Sequence, residues 1–160
     1  MSLSAPRAAS RTAAMALLRE AGADRIPHSG RTLLDHLVGT ADLLTSWGAP
    51  SRVELAGLVH SVYGTGSFGE APLASADRDR VIAAVGAEAE HLADLFCHMD
   101  RPFLEDAVSG LSPLLSRDDW SALPASPQDL EDLTVLVRAN QLEQEPHLPS
   151  TGGQTSPSRP

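Results

Sequence analysis

The chain has 160 residues, 42% of them hydrophobic, and a formal net charge of −9, a size and balance that suit one domain with a buried core and argue against a sequence-independent grip on nucleic-acid phosphates. All twelve cationic side chains are arginine, which excludes a Walker P-loop lysine, a Schiff base and pyridoxal-phosphate chemistry, each of which needs a lysine amine. The single Cys97 can form no internal disulfide, and the absence of a signal-like run or of about 20 consecutive apolar residues makes a cytoplasmic, membrane-free location the expectation.

Ala13, Ala14, Leu17, Leu18 and Ala21 recur at helical spacing, with Gly22 where a left-handed terminal residue is wanted, so a first helix is predicted from Ser10 to Ala21. A second is predicted from about Thr32 to Trp47, with Leu33, Leu37, Thr40, Leu44 and Trp47 on one face and Gly48 ending it. Ser51 and Glu54 have capping-box spacing and open a third, which turns Val53, Ala56, Val59 and His60 toward the core. The run from Tyr63 to Gly69 that follows reads as a functional loop or a plain turn; coming after a helix and not a strand, it is no dinucleotide fingerprint. Ser75 can cap a helix carrying Val81, Ile82 and Val85 to a stop at Gly86, and Glu88 to Met99 turns Leu92, Leu95 and Phe96 inward. Ser116 and Asp119 are expected to open a short helix. Ser126, Pro127 and Asp129 supply the N-cap, first-turn proline and third-position acid of a last helix reaching about Gln144. No period of two supports a sheet. The expected organisation is a flexible lead over 1–9, an all-α domain over 10–144 and a disordered Pro/Ser/Gly-rich tail over 145–160.

His36, at the edge of the second helix's buried face, and His60, facing inward from the third, form the most specific chemical feature. Neutral imidazole is a common ligand for Zn, Fe, Mn and Ni, although a buried histidine satisfied by a carbonyl or carboxylate is the plainer reading. His91 and His98 flank Asp94 at helical spacing, as a ligand face or as a solvated flank. Arg80 suits an anionic substrate or a surface ion pair. Cys97 beside Phe96 reads as core, and Asp100-Arg101 as turn chemistry.

The stretch Leu34-Asp35-His36-Leu37-Val38, through Trp47-Gly48 to Leu55-Ala56-Gly57-Leu58-Val59-His60-Ser61, resembles the first histidine and the His-Asp doublet of an HD-superfamily domain. Val137 to Glu143 is similar to the helix that supplies that superfamily's last aspartate, so the likeness runs from Pro27 to Glu143. His60-Ser61 leading into Tyr63-Gly64-Thr65 also looks like a small branch whose doublet reads His-Ser. The resemblance implies an HD-like helical bundle around a metal, in a superfamily of phosphohydrolases with some dinuclear-iron oxygenases. Here Ser61 and Asn140 stand where its two aspartates would, and a hydroxyl and an amide are weak neutral ligands, so ordinary dinuclear chemistry is not expected.

Three routes stay open. His28 could join His36 and His60 around one divalent metal, Fe, Mn or Zn, with Asp35 or Glu90 in support, for Lewis-acid or oxygen chemistry on a small polar metabolite. Without metal, His60 could act as a general acid or base, with Ser61, Tyr63 and Asn140 as hydrogen-bonding groups, in an isomerase, lyase or cyclase. The pocket could also bind a ligand or partner without catalysis. The expected site is therefore His60 and Tyr63 as catalytic groups, Ser61, Thr65, Arg80 and Asn140 against the substrate, and His28, His36 and His60 on the metal. The expected partner is a small-molecule substrate, with no nucleic acid and with a homodimer left open.

Overall fold

The computed structural model describes residues 5–66 and 69–147. These form seven α-helices and one two-stranded hairpin, so the fold is all-α apart from that turn: α1 Ala5–Glu20, β1 Pro27–His28, β2 Arg31–Thr32, α2 Leu33–Ser46, α3 Ser51–Val59, α4 Arg78–Val85, α5 Ala87–His98, α6 Pro102–Val108 and α7 Pro127–Gln144. None of these helices is long and apolar enough to cross a membrane.

The centre is α3, which packs on α1, α2, α4, α5 and α7. From Val53 to Val59 every residue is buried, the mark of a helix surrounded by others rather than lying on a surface. Gly57 lets α2 come close: a Cβ there would stand 2.6 Å from Leu44 Cδ1 and 3.4 Å from the Ala41 Cα. The rest of the core comes from Leu18, Leu37, Leu92, Phe96, Leu133 and Leu136, all fully enclosed.

Local chemistry sets most helix boundaries as expected. Thr32 caps α2 in a reciprocal pair with Asp35, and Ser126 caps α7 in the same way with Asp129. Gly86, at φ +88°, separates α4 from α5. The first helix begins at Ala5, ahead of the predicted start, so residues 5–9 are not the flexible lead expected there.

Three expectations are corrected. Ser51 and Glu54 make no capping box: Pro50 occupies the cap position, and Glu54 is drawn inward to an ion pair with Arg7 of α1. No helix opens at Ser116 and Asp119, because Asp119 accepts the Ser121 amide at 3.0 Å and folds the chain into a turn instead. That segment closes with isolated bridges from Met99 to Ser116 and from Leu115 to Ala122. Finally, the hairpin of β1 and β2 turns through Ser29 and Gly30, whose φ angles of 47° and 81° are the paired positive values of a tight hairpin turn. Two-residue strands are too short to leave an alternating pattern. Helix α6, with Pro102 in its first turn, was not foreseen. Of the expected tail, Glu145–His147 forms a short 3-10 turn and the rest lies outside the described residues, as do Ser67 and Phe68 of the glycine-rich loop.

Candidate functional site

Helices α2, α3 and α7 bring His36, His60 and Asn140 together at the floor of a small cavity. The three side chains are 1%, 1% and 2% exposed. His36 Nε2 and His60 Nε2 stand 3.2 Å apart, and Asn140 Oδ1 lies 3.0 Å from the first and 3.1 Å from the second. The result is a nearly equilateral triangle of polar atoms.

The partners of the other ring nitrogens decide where the protons are. His60 Nδ1 is 2.7 Å from the Gly57 carbonyl, which can only accept, so Nδ1 carries the hydrogen. His36 Nδ1 donates to the Glu143 carboxylate, one turn beyond Asn140 on α7. A neutral imidazole has one N–H, so both Nε2 atoms are bare and all three corners of the triangle are acceptors. Burial favours these neutral forms. It pushes His60 down to about 4, aided by the positive charge of Arg101, while the Gly57 and Asn140 contacts pull the other way. Burial likewise lowers His36, and the neighbouring His60 and His28 act in the same sense.

Glu143 is held on its far side by Arg31 of β2. Gly39 of α2 leaves room for it, since a Cβ there would come 2.5 Å from Glu143 Oε1. The sequence reading missed Glu143, although the signal was present: Leu136, Ala139, Asn140 and Glu143 share one helical stripe, and its other members are buried.

Above the triangle is a cavity of about 300 Å³, lined also by His28, Ser61, Thr65, Phe96, Arg101 and Gln144. Ser61 and Thr65 are buried, and Ser61 Oγ and Asn140 Nδ2 have no hydrogen-bond partner among the described residues. His28 stacks on His36, with ring centroids 4.4 Å apart, and its Nε2 accepts from Gln144 Nε2 at 3.1 Å. It therefore forms a wall of the cavity and not a third imidazole corner. A larger groove of about 600 Å³, bounded by Trp47, Val53, Val135 and Leu142, shares no lining residue with this one and holds no histidine among the described residues.

The remaining predicted residues lie elsewhere. The Tyr63 hydroxyl donates to Glu90 at 3.0 Å, and Glu90 in turn pairs with Arg78, so neither Tyr63 nor Glu90 lines the histidine cavity. Arg80 is exposed and pairs with Glu20 and Asp77. Asp35 is spent on the α2 cap. His91 faces Asp129 and His98 faces Asp94, on partly exposed flanks. Among the described residues no three His, Cys, Asp or Glu side chains gather as a metal-ligand group; at the triangle the third corner is an amide.

Fold and site together define an all-helical domain with a His–His–Asn cluster beneath a small polar pocket. Residues 17–101 match the family described as Domain of unknown function (DUF6817), and the chain belongs to that family. No curated protein and no solved structure matches the chain. None of these comparisons links it to the HD superfamily. The matched stretch contains His28, His36, His60, Ser61, Thr65 and Arg101, whereas Asn140, Glu143 and Gln144 lie beyond it.

Proposed function

We propose that the His36–His60–Asn140 cluster is a mononuclear divalent-metal site in an enzyme acting on a small polar metabolite, as a divergent HD-type pocket would be. The observation that carries this reading is the triangle of acceptors. Three lone pairs at 3.0–3.2 Å with no hydrogen between them repel one another, and burial removes the water that would screen them. A cation held by the three acceptors would relieve that repulsion. The three donors stand 3.0–3.2 Å apart, close enough for His36 Nε2, His60 Nε2 and Asn140 Oδ1 to hold one ion together.

The hydrogen bonds behind the triangle support the same reading. A ligating histidine usually donates its second N–H to a carboxylate or carbonyl, which fixes the tautomer; Glu143 does this for His36 and Gly57 for His60. With no carboxylate in the ligand set, Zn or Fe is favoured over Mn. When bound, the metal supplies Lewis acidity to an oxygen of the substrate or to dioxygen. The chain's own groups do the rest: His28, Ser61 and Phe96 wall the cavity, and Glu143 keeps His36 oriented.

One geometry favours a second reading. Turning the Asn140 amide over would let Nδ2 donate to both imidazoles, removing the repulsion without a cation. His60 would then serve as a metal-free acid or base, or the pocket would only bind. Elemental analysis separates these cases, on the full chain purified without added metal or affinity histidines, beside the His36→Ala/His60→Ala double variant. Near-stoichiometric zinc, iron or manganese in the first and none in the second is expected. A folded protein that stays metal-free after reconstitution would overturn the metal reading and favour the turned amide.

A further inference from the structure

Arg101 lies in the turn between α5 and α6, with its guanidinium 4.7 Å from the centre of the Phe96 ring, and it lines the same cavity as the triangle. Phe96 in turn meets His60 edge-on, with centroids 4.9 Å apart, so the cation is mounted beside the cluster on a rigid aromatic support. Most of the other arginines among the described residues pair with a carboxylate. Arg101 has no such partner and no side-chain hydrogen bond within the described residues. The nearby Cys97 offers no counter-charge, because burial pushes its thiol up to about 12.

The cavity's composition points the same way. Among the described residues its wall contains no Asp or Glu, although the chain carries a net −9. Glu143, behind His36, is already matched by Arg31. Ser61 and Asn140 also line the cavity, and their Oγ and Nδ2 atoms are enclosed without a hydrogen-bond partner among the described residues. No carboxylate of the described residues takes up the Arg101 donors, so they are available to an anion that enters the pocket.

We propose that the pocket takes a small oxyanion-bearing ligand, a carboxylate or a phosphate, whose charged end docks on Arg101. The proposal rests on reading this cavity as the functional pocket and names the substrate class it selects. A guanidinium offers a planar fork that meets two oxyanion oxygens at once, which an ammonium cannot do. The volume, about 300 Å³, is at the small end of ligand pockets, so the ligand is a metabolite and not a polymer.

The test is thermal unfolding of the full chain, as purified and after chelation, titrated with malonate, inorganic phosphate and the neutral diamide malonamide. Metal content is measured on the same samples. Saturable stabilisation by malonate or phosphate, and none by malonamide, is expected. Arg101→Gln should weaken it about tenfold or more, and Arg101→Lys should retain part of it. Whichever anion binds more tightly assigns the class. The proposal is overturned if neither anion stabilises the wild type, if malonamide does so equally, or if Arg101→Gln binds as the wild type does. The malonate–malonamide contrast needs no variant and so stands even if a substitution fails to fold. Arg101-dependent anion binding in metal-free protein would survive failure of the metal reading, whereas stoichiometric metal with Arg101-independent binding would sink this proposal alone.

Discussion

Glu143→Gln isolates the support behind the site. The carboxylate receives the His36 Nδ1–H on one oxygen and Arg31 on the other, with Glu143 7%, His36 1% and Arg31 22% exposed at the side chain. Glutamine keeps the shape but has one oxygen and one NH₂, so one of the two donors must face another donor. One charge-assisted hydrogen bond is lost, about 1.5–3 kcal/mol, and Arg31 loses its counter-charge. Breaking a fully buried pair costs about 3–5 kcal/mol; the partial exposure of Arg31 puts this case near the lower end, at about 3 kcal/mol. For a urea m-value of about 2 kcal/mol/M, the midpoint of the chelator-treated protein should fall by about 1.5 M with the slope unchanged. Because His36 would no longer be held in one tautomer, metal affinity should also drop about 10–100-fold. A midpoint shift below about 0.3 M, typical of an inert surface position, would refute the argument. Lost stability with unaltered metal affinity would limit Glu143 to holding Arg31.

In chelator-treated protein, stability should fall as pH drops from 6.5 toward 4. His60 takes up a proton near 6.5 when unfolded but only near 4 when folded, so the unfolded state binds more protons across that window and its stability slope is about 1.4 kcal/mol per pH unit. Subtracting the profile of His60→Gln from that of the wild type isolates this slope, and a flat difference would contradict the assignment. Gly57→Ala should destabilise by about 1–2 kcal/mol in denaturant titration despite its better helix propensity, because Leu44 is fully enclosed and has nowhere to move. Cys97, buried and donating to the His60 carbonyl at 3.1 Å, should resist alkylation at pH 8 until the protein unfolds; rapid labelling of native protein would show the α5 packing to be wrong.

The parts of the fold legible in the sequence were those where local chemistry and burial agree. Ser126–Asp129 reads as a cap and is one, and His36 and His60 fall on helix faces that turn inward. Glu54 shows how the reading fails: its spacing from Ser51 satisfies a capping rule, but its position in a helix enclosed on all sides gives it to Arg7, 47 positions earlier in the chain and outside any local pattern. Tyr63 was placed by its neighbours in sequence, whereas its ring direction depends on how α5 presents Glu90. Arg101 looked like turn chemistry because its lack of a partner is a tertiary fact, visible only once α5 and α6 enclose it. Glu143 could have been read from its stripe on the last helix, but no local feature says that a carboxylate there meets an imidazole on α2.

The triangle joins residues separated by 24, 80 and 104 positions. Closing such long loops is entropically unfavourable until the core has formed, and the last corner arrives on α7, the last α-helix among the described residues. No nascent or half-folded chain can therefore present the finished cluster. Capture of a ligand there would register completion of the whole domain, so occupancy of the site can serve as a quality check distinguishing a finished molecule from a truncated or misassembled one.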